Sequence, residues 1–148
     1  MPYLEACIDE SLRLYPVLGN VTREVMNNYK LPSGLELRKG DRVHIPVYHI
    51  HRNPEYFPYP TSYLPERFLG DEKKKIKPYT FMPFGEGPRV CIGARFAKMV
   101  MYAAILTIFK KYTINLPENM PQNIKLKPAA ISTEPAIDIY LRFISRSF

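Results

Sequence analysis

The chain has 148 residues, 46% hydrophobic, 24% charged and 13% aromatic, a globular composition that excludes a disordered tail or a coiled coil. Twenty-one Lys and Arg against fourteen Asp and Glu leave a net charge of +7, which suits an acidic partner, a phosphate backbone or an anionic membrane surface without choosing among them. Fifteen prolines, about twice the usual ~5%, and only seven glycines require much of the backbone to run in stiff, irregular segments.

The first predicted element is an amphipathic helix. Leu4, Cys7, Ile8, Ser11, Leu12 and Tyr15 recur at steps of three and four, and Pro16 stops the pattern. The opening residues lack the basic region and apolar core of a signal peptide and read as a helix already under way. From Thr22 to Tyr48 the β-prone runs TREV, LEL and RVHIPVY alternate with the turn signals Pro32-Ser33-Gly34 and Lys39-Gly40, which predicts a small antiparallel sheet. Asn53 to Pro83 holds Pro54, Pro58, Pro60, Pro65, Pro78 and Pro83, too many for a long helix or a central strand, so an ordered coil wrapped on the surface is expected.

Gly93 to Tyr112 is the longest proline-free apolar segment, and its apolar residues surround nearly the whole circumference of a helix. A mostly buried helix is expected there, with Arg95, Lys98 and Tyr102 forming one narrow stripe that faces water and Lys110-Lys111 at the negative end of its dipole. The longest uncharged run, Met99 to Phe109, has eleven residues, short of the ~20 that a membrane-spanning helix needs. The strings INLPEN, IKLKP and AIDIYLRF then predict turns and strands that close the domain. Cys7 and Cys91 lie 84 residues apart with no C-x-x-C spacing, and His44, His49 and His51 have no zinc-type partners, so surface or core histidines are expected.

The strongest chemical signal is Phe84-Gly85-Glu86-Gly87-Pro88-Arg89-Val90-Cys91-Ile92-Gly93, a glycine-rich loop that delivers a cysteine to the start of the long helix. Gly85 and Gly87 permit backbone conformations closed to other residues, so the loop can curl around one sulfur and aim amide N–H groups at it. Those donors, with the positive end of the helix, favour the thiolate. Arg89 supplies a cation two residues away. A cysteine after glycines can equally be a core residue, but this string satisfies F-x-x-G-x-R-x-C-x-G at every fixed position.

Two further motifs accompany it. Glu10 and Arg13, in Glu10-Ser11-Leu12-Arg13, share one helical face, as an ordinary exposed ion pair would. Pro65-Glu66-Arg67-Phe68 lies in the proline-rich coil, and its Arg67 is placed to complete a Glu10–Arg13–Arg67 cluster that locks the coil to the helix.

With E-x-x-R, P-E-R-F and the cysteine string in this order, the sequence resembles the cytochrome P450 family of haem-thiolate monooxygenases over nearly all its length. The resemblance implies an α+β fold, mainly α in a longer parent, of which residues 1–148 are a single partial domain: the C-terminal haem-binding part. It implies that Cys91 is the axial ligand of a haem b iron, with Phe84, Gly85 and Gly93 shaping the cofactor loop and Arg89 and Arg23 pairing with propionates. Val17 to Asn20 (Leu18 included) and Ala129 to Ile131 (Ala130 included) would line the substrate pocket, where apolar residues are equally ordinary core.

The implied partners are an apolar small molecule, O₂ and an NADPH-dependent reductase docking on a basic face with Arg95, Lys98 and nearby Lys110, where a merely solvated face is the competing reading. No nucleic acid is expected. The strings YHIHRNPEYF and MPFGEGPRVCIG are most similar to those of microsomal animal members, arthropod detoxification enzymes among them, which implies the cytosolic face of the endoplasmic reticulum membrane. Pro16 stands where Pro-Pro is usual, Tyr63 replaces a common Phe, and no A-G-x-x-T occurs. The distal wall and any N-terminal anchor are therefore expected outside these residues, and the chain alone is expected to be inactive. A haem-thiolate isomerase or dehydratase is the alternative within the class; a basic nucleic-acid module, suggested by charge and tyrosine content, is the alternative outside it.

Overall fold

The computed structural model describes residues 1–121, 124–128 and 130–146. Helix α1, Pro2–Leu14, starts on a proline, which fits the first turn because its missing N–H would have no partner there, and ends before Pro16. Ala6, Ile8, Leu12 and Leu14 are buried, and so are the charged Asp9, Glu10 and Arg13.

Strand β1, Val21–Glu24, pairs antiparallel with β4, Arg42–Ile45, with Val21 opposite Ile45. Between them β2, Tyr29–Lys30, and β3, Glu36–Leu37, form a smaller antiparallel pair whose turn runs through Gly34 at φ 90°. The predicted strand RVHIPVY is shorter than expected. Pro46 has no N–H to continue the ladder, and the chain turns into a short helix α2, Val47–Ile50.

The proline-rich coil is not confined to the surface. It carries a 3₁₀ turn, Pro65–Phe68, which packs against α1, and a short helix α3, Gly70–Lys74, and it buries Phe57, Phe68 and Met82. Helix α1 and this coil form the core.

Helix α4, Ala94–Lys111, overturns one expectation: none of its residues is buried, and Phe96 is 66% exposed. Of the predicted water-facing stripe, Arg95 is exposed as expected, but Lys98 and Tyr102 are half-buried, and Lys98 Nζ donates to Asp9 Oδ1 of α1 at 2.7 Å. An apolar circumference shows where a helix can accept neighbours; among the described residues α1 covers one side only. Between α1 and α4 lies a cleft of about 980 Å³ lined by Tyr3, Cys7, Leu12, Met101, Ile105 and Phe109, among others.

Strand β5, Tyr112–Asn115, pairs antiparallel with β6, Arg142–Ser145. Bridges Leu18–Ser132 and Leu126–Pro135 bring this last part of the chain back to the turn after α1. Among the described residues no helix is long and apolar enough to cross a membrane.

Candidate active site

The loop before α4 is built on two left-handed glycines, Gly85 at φ 75° and Gly87 at φ 77°, conformations that an L side chain would strain. Gly85 N–H donates to Met82 O at 3.0 Å, Val90 N–H to Gly87 O at 3.0 Å, and Cys91 N–H to the carbonyl of Phe84 at 2.9 Å. These amides are therefore spent on the loop itself. Closing the turn uses the protons of these three amides, so they are not the ones that would turn toward the sulfur.

Cys91 is exposed, three residues before the first helical residue, and Gly93 caps α4. A methyl group on Gly93 would lie 3.9 Å from Cys91 Sγ, an ordinary contact, so the sulfur alone does not demand glycine there. Its neighbours Val90 and Ile92 are also exposed, which gives the thiol an apolar surround open on one side.

Two cations flank the loop. Arg89 ends a 3₁₀ turn, Gly87–Arg89, and is exposed. Arg23, half-buried on β1, donates from Nη1 to Thr22 O at 3.0 Å, and its Nη2 would be 3.8 Å from a Cβ placed on Gly85. Sheet pairing thus brings an arginine that is 62 residues away in sequence to the cysteine loop. Arg23 and Gly85 share the lining of a cavity of about 380 Å³ with Val21, Met82 and Gly87.

Behind the loop, Glu10, Arg13 and Arg67 meet. Arg13 grips Glu10 with two parallel bonds, Nε to Oε2 at 2.7 Å and Nη2 to Oε1 at 2.8 Å, and both side chains are 0% exposed. Its remaining protons go to the carbonyls of His51 (2.8 Å), Pro60 (2.8 Å) and Ser62 (3.1 Å). Glu10 Oε1 also accepts from Leu64 N–H at 2.8 Å. Arg67 places Nε 3.5 Å from Glu10 Oε1, too far for a hydrogen bond but close enough for attraction, and bonds Tyr59 O through Nη2 at 2.9 Å.

His51 joins this cluster. It is fully buried, with Met82 N–H donating to Nε2 at 2.9 Å and Nδ1 lying 3.2 Å from Arg13 O. Burial, reinforced by the positive Arg13 and Arg52, lowers its pKa from 6.5 to about 4, while the bond to Arg13 O partly opposes the shift. No residue pattern signals this role, since both ring nitrogens bond to backbone atoms that leave no side-chain signature. Tyr63 donates its hydroxyl to Cys7 O at 2.9 Å, a second tie between coil and α1 that phenylalanine cannot make.

Asn20, Ala130 and Ile131 line a pocket of about 240 Å³ together with Tyr48 and Lys127. Val17 O accepts from Thr133 N–H, Leu18 bridges Ser132, and Ala129 lies outside the described residues. Both Val17 and Leu18 are exposed. On α4, Arg95 and Lys110 are exposed, whereas Lys98 is half-buried and its charge is matched by Asp9. The expected basic face is therefore smaller by one lysine.

The cytochrome P450 family model matches residues 1–141. The chain belongs to the cytochrome P450 family. It is 40% identical over 146 residues to lithocholate 6-beta-hydroxylase of Mesocricetus auratus, covering 99% of this chain and 29% of that protein. It is 42% identical over 128 residues to cytochrome P450 9e2 of Blattella germanica, covering 85% of this chain and 24% of that one. Cytochrome P450 3A25 of Mus musculus is 39% identical over 146 residues, again 99% and 29%. The chain thus spans less than a third of the length of these P450 relatives.

The donor set fits the family's haem. An exposed thiol at a helix start offers the soft ligand, exposed Val90 and Ile92 suit an apolar macrocycle, and Arg23 and Arg89 suit its carboxylates.

Proposed function

We propose that this chain is the haem-binding part of a monooxygenase that inserts one oxygen atom from O₂ into an apolar small molecule. The observation that carries this reading is the exposed Cys91 on a closed glycine loop, at the start of α4, with Arg23 and Arg89 beside it. Cys91 would be the axial ligand of haem b, with Phe84, Gly85 and Gly93 holding its loop and the two arginines pairing with the propionates.

When bound, the haem supplies oxygen activation, which thiolate ligation favours through electron donation to the iron. The protein's part is positional and electrostatic. The loop holds Sγ in one place, because the Gly85, Val90 and Cys91 amides close it upon itself. Glu10, Arg13 and Arg67 tie the coil that carries the loop to α1, acting as a structural lock without touching substrate.

The pocket between the turn after α1 and the chain's last third, with Asn20, Ala130 and Ile131, is assigned to the substrate side, together with Val17 and Leu18. Electrons would come from an NADPH-dependent flavoprotein whose acidic surface meets Arg95 and Lys110. The parent protein would reside at the endoplasmic reticulum membrane on its cytosolic face. Residues 1–148 by themselves are a partial domain that turns over no substrate.

The test is the reduced carbon monoxide spectrum of the longer protein carrying this segment. Cys91→Ser should abolish the long-wavelength thiolate band and Cys7→Ser should keep it; the reverse pattern refutes the ligand assignment.

A further inference from the structure

We propose that His51 is a positioning residue for the cysteine loop, coupling the Glu10–Arg13 lock to Cys91 through a relay of backbone hydrogen bonds. The proposal rests on the reading of Cys91 as the reactive thiolate, but its geometry stands on the protein alone.

The relay starts at the Glu10–Arg13 pair and ends at the cysteine loop. Arg13 Nη1 donates to His51 O at 2.8 Å, so the lock holds the histidine's backbone. Nε2 accepts from Met82 N–H at 2.9 Å, which leaves the ring proton on Nδ1, 3.2 Å from Arg13 O, to donate there. His51 is thus fastened to Arg13 at both ends. Met82 O next accepts from Gly85 N–H at 3.0 Å, and Gly85 opens the left-handed turn; Phe84 O accepts from Cys91 N–H at 2.9 Å.

The ring is fully buried and lies between Phe57 and Phe81, with centroids 6.4 and 5.4 Å away. Protein groups occupy both of its nitrogens. A residue needed only for volume would have no use for a donor on one edge and an acceptor on the other; an imidazole bridging two backbones 31 and 38 residues away from it uses both. The charged groups facing it are Arg13 and Arg52, with Glu10 behind Arg13.

Two substitutions separate the roles. Glutamine carries its amide at the reach of Nε2 and can still accept from Met82 N–H, whereas asparagine reaches only as far as Nδ1 and can still donate to Arg13 O. Amide hydrogen exchange on the isotope-labelled 148-residue chain reads each bond without haem. His51→Asn should speed exchange at Met82, Gly85 and Cys91 about tenfold, the scale of one lost buried hydrogen bond, and leave β1 and β4 unchanged. His51→Gln should keep all three near native rates.

Equal acceleration in both variants, including β1 and β4, overturns the proposal in favour of simple core filling. So does a native chain whose Met82, Gly85 and Cys91 amides exchange like an unstructured peptide. A second reading needs no variant: acid that protonates Nε2 removes the same acceptor, so protection at these three amides should fall together before that of β1 and β4. Simultaneous loss everywhere overturns it. Failure of the ligand assignment shows separately, in the carbon monoxide spectrum of Cys91→Ser, and leaves these exchange rates untouched.

Discussion

Glu10→Ala removes the acceptor at the centre of the lock and strands Arg13. In the native chain the Arg13 guanidinium makes five hydrogen bonds, two to Glu10 and three to carbonyls, with no exposure to water. Without Glu10 the three carbonyls still solvate the cation but nothing neutralises it, and Leu64 N–H also loses its partner. Breaking a buried pair this way costs ~3–5 kcal/mol, a large part of the stability of an ordinary domain. With a urea slope of about 2 kcal/mol/M, the unfolding midpoint should fall by about 2 M, or the chain should not fold at all. Arg13→Lys should lose most of the same stability, because an ammonium offers fewer donors from a single point. Circular dichroism in urea measures both. As a control, removing the exposed Lys73–Glu5 pair, 3.3 Å long, should cost no more than ~1 kcal/mol. A Glu10→Ala midpoint as little changed as that control would show that Glu10 does not neutralise a buried Arg13.

Three further outcomes are expected. His51 has a folded pKa of about 4 against 6.5, so its neutral form contributes stability that is complete above pH 6.5 and is lost as pH falls toward 4. The loss is about 3 kcal/mol, and a His51→Gln chain, which has no proton to take up there, should lack that part of the slope. Asp9→Asn should weaken the tie of α4 to α1, where Lys98 donates at 2.7 Å, by ~1–2 kcal/mol, read as faster amide exchange along α4 with α1 unaffected. Gly85→Ala places a side chain at φ 75° and should cost ~1–2 kcal/mol, whereas Gly93→Ala, with its methyl group 3.9 Å from Sγ, should cost less; thermal unfolding compares them.

Much of the local structure was legible from residue spacing. Helix α1 follows from its three-and-four periodicity and from Pro16, and the turns at Gly34 and Gly40, both in left-handed conformations, follow from their turn residues, whereas the pairing of β1 with β4 around a β2 that the runs do not include does not. Glu10 and Arg13 could be paired because a helix fixes their geometry, and Arg67 could be brought to them by the motif it stands in. What spacing does not reveal is which of several possible neighbours an element finds. Helix α4 is apolar nearly all round, yet Lys98 of its polar stripe is tied to α1, because the half-buried lysine has a carboxylate waiting there. Asp9 and Lys98 lie 89 residues apart, and nothing local to either names the other. For the same reason spacing marks His51 only as a surface or core residue: its bonds are to backbone atoms whose positions only the folded chain defines.

Cys91, and not Cys7, is the sulfur proposed to bind iron. The most direct measurement is resonance Raman spectroscopy of the ferric haem complex of the longer protein, grown with heavy-sulfur cysteine. The iron–sulfur stretch should shift with the isotope in the native and Cys7→Ser proteins and be absent from Cys91→Ser. An isotope-sensitive stretch that survives Cys91→Ser would contradict the account.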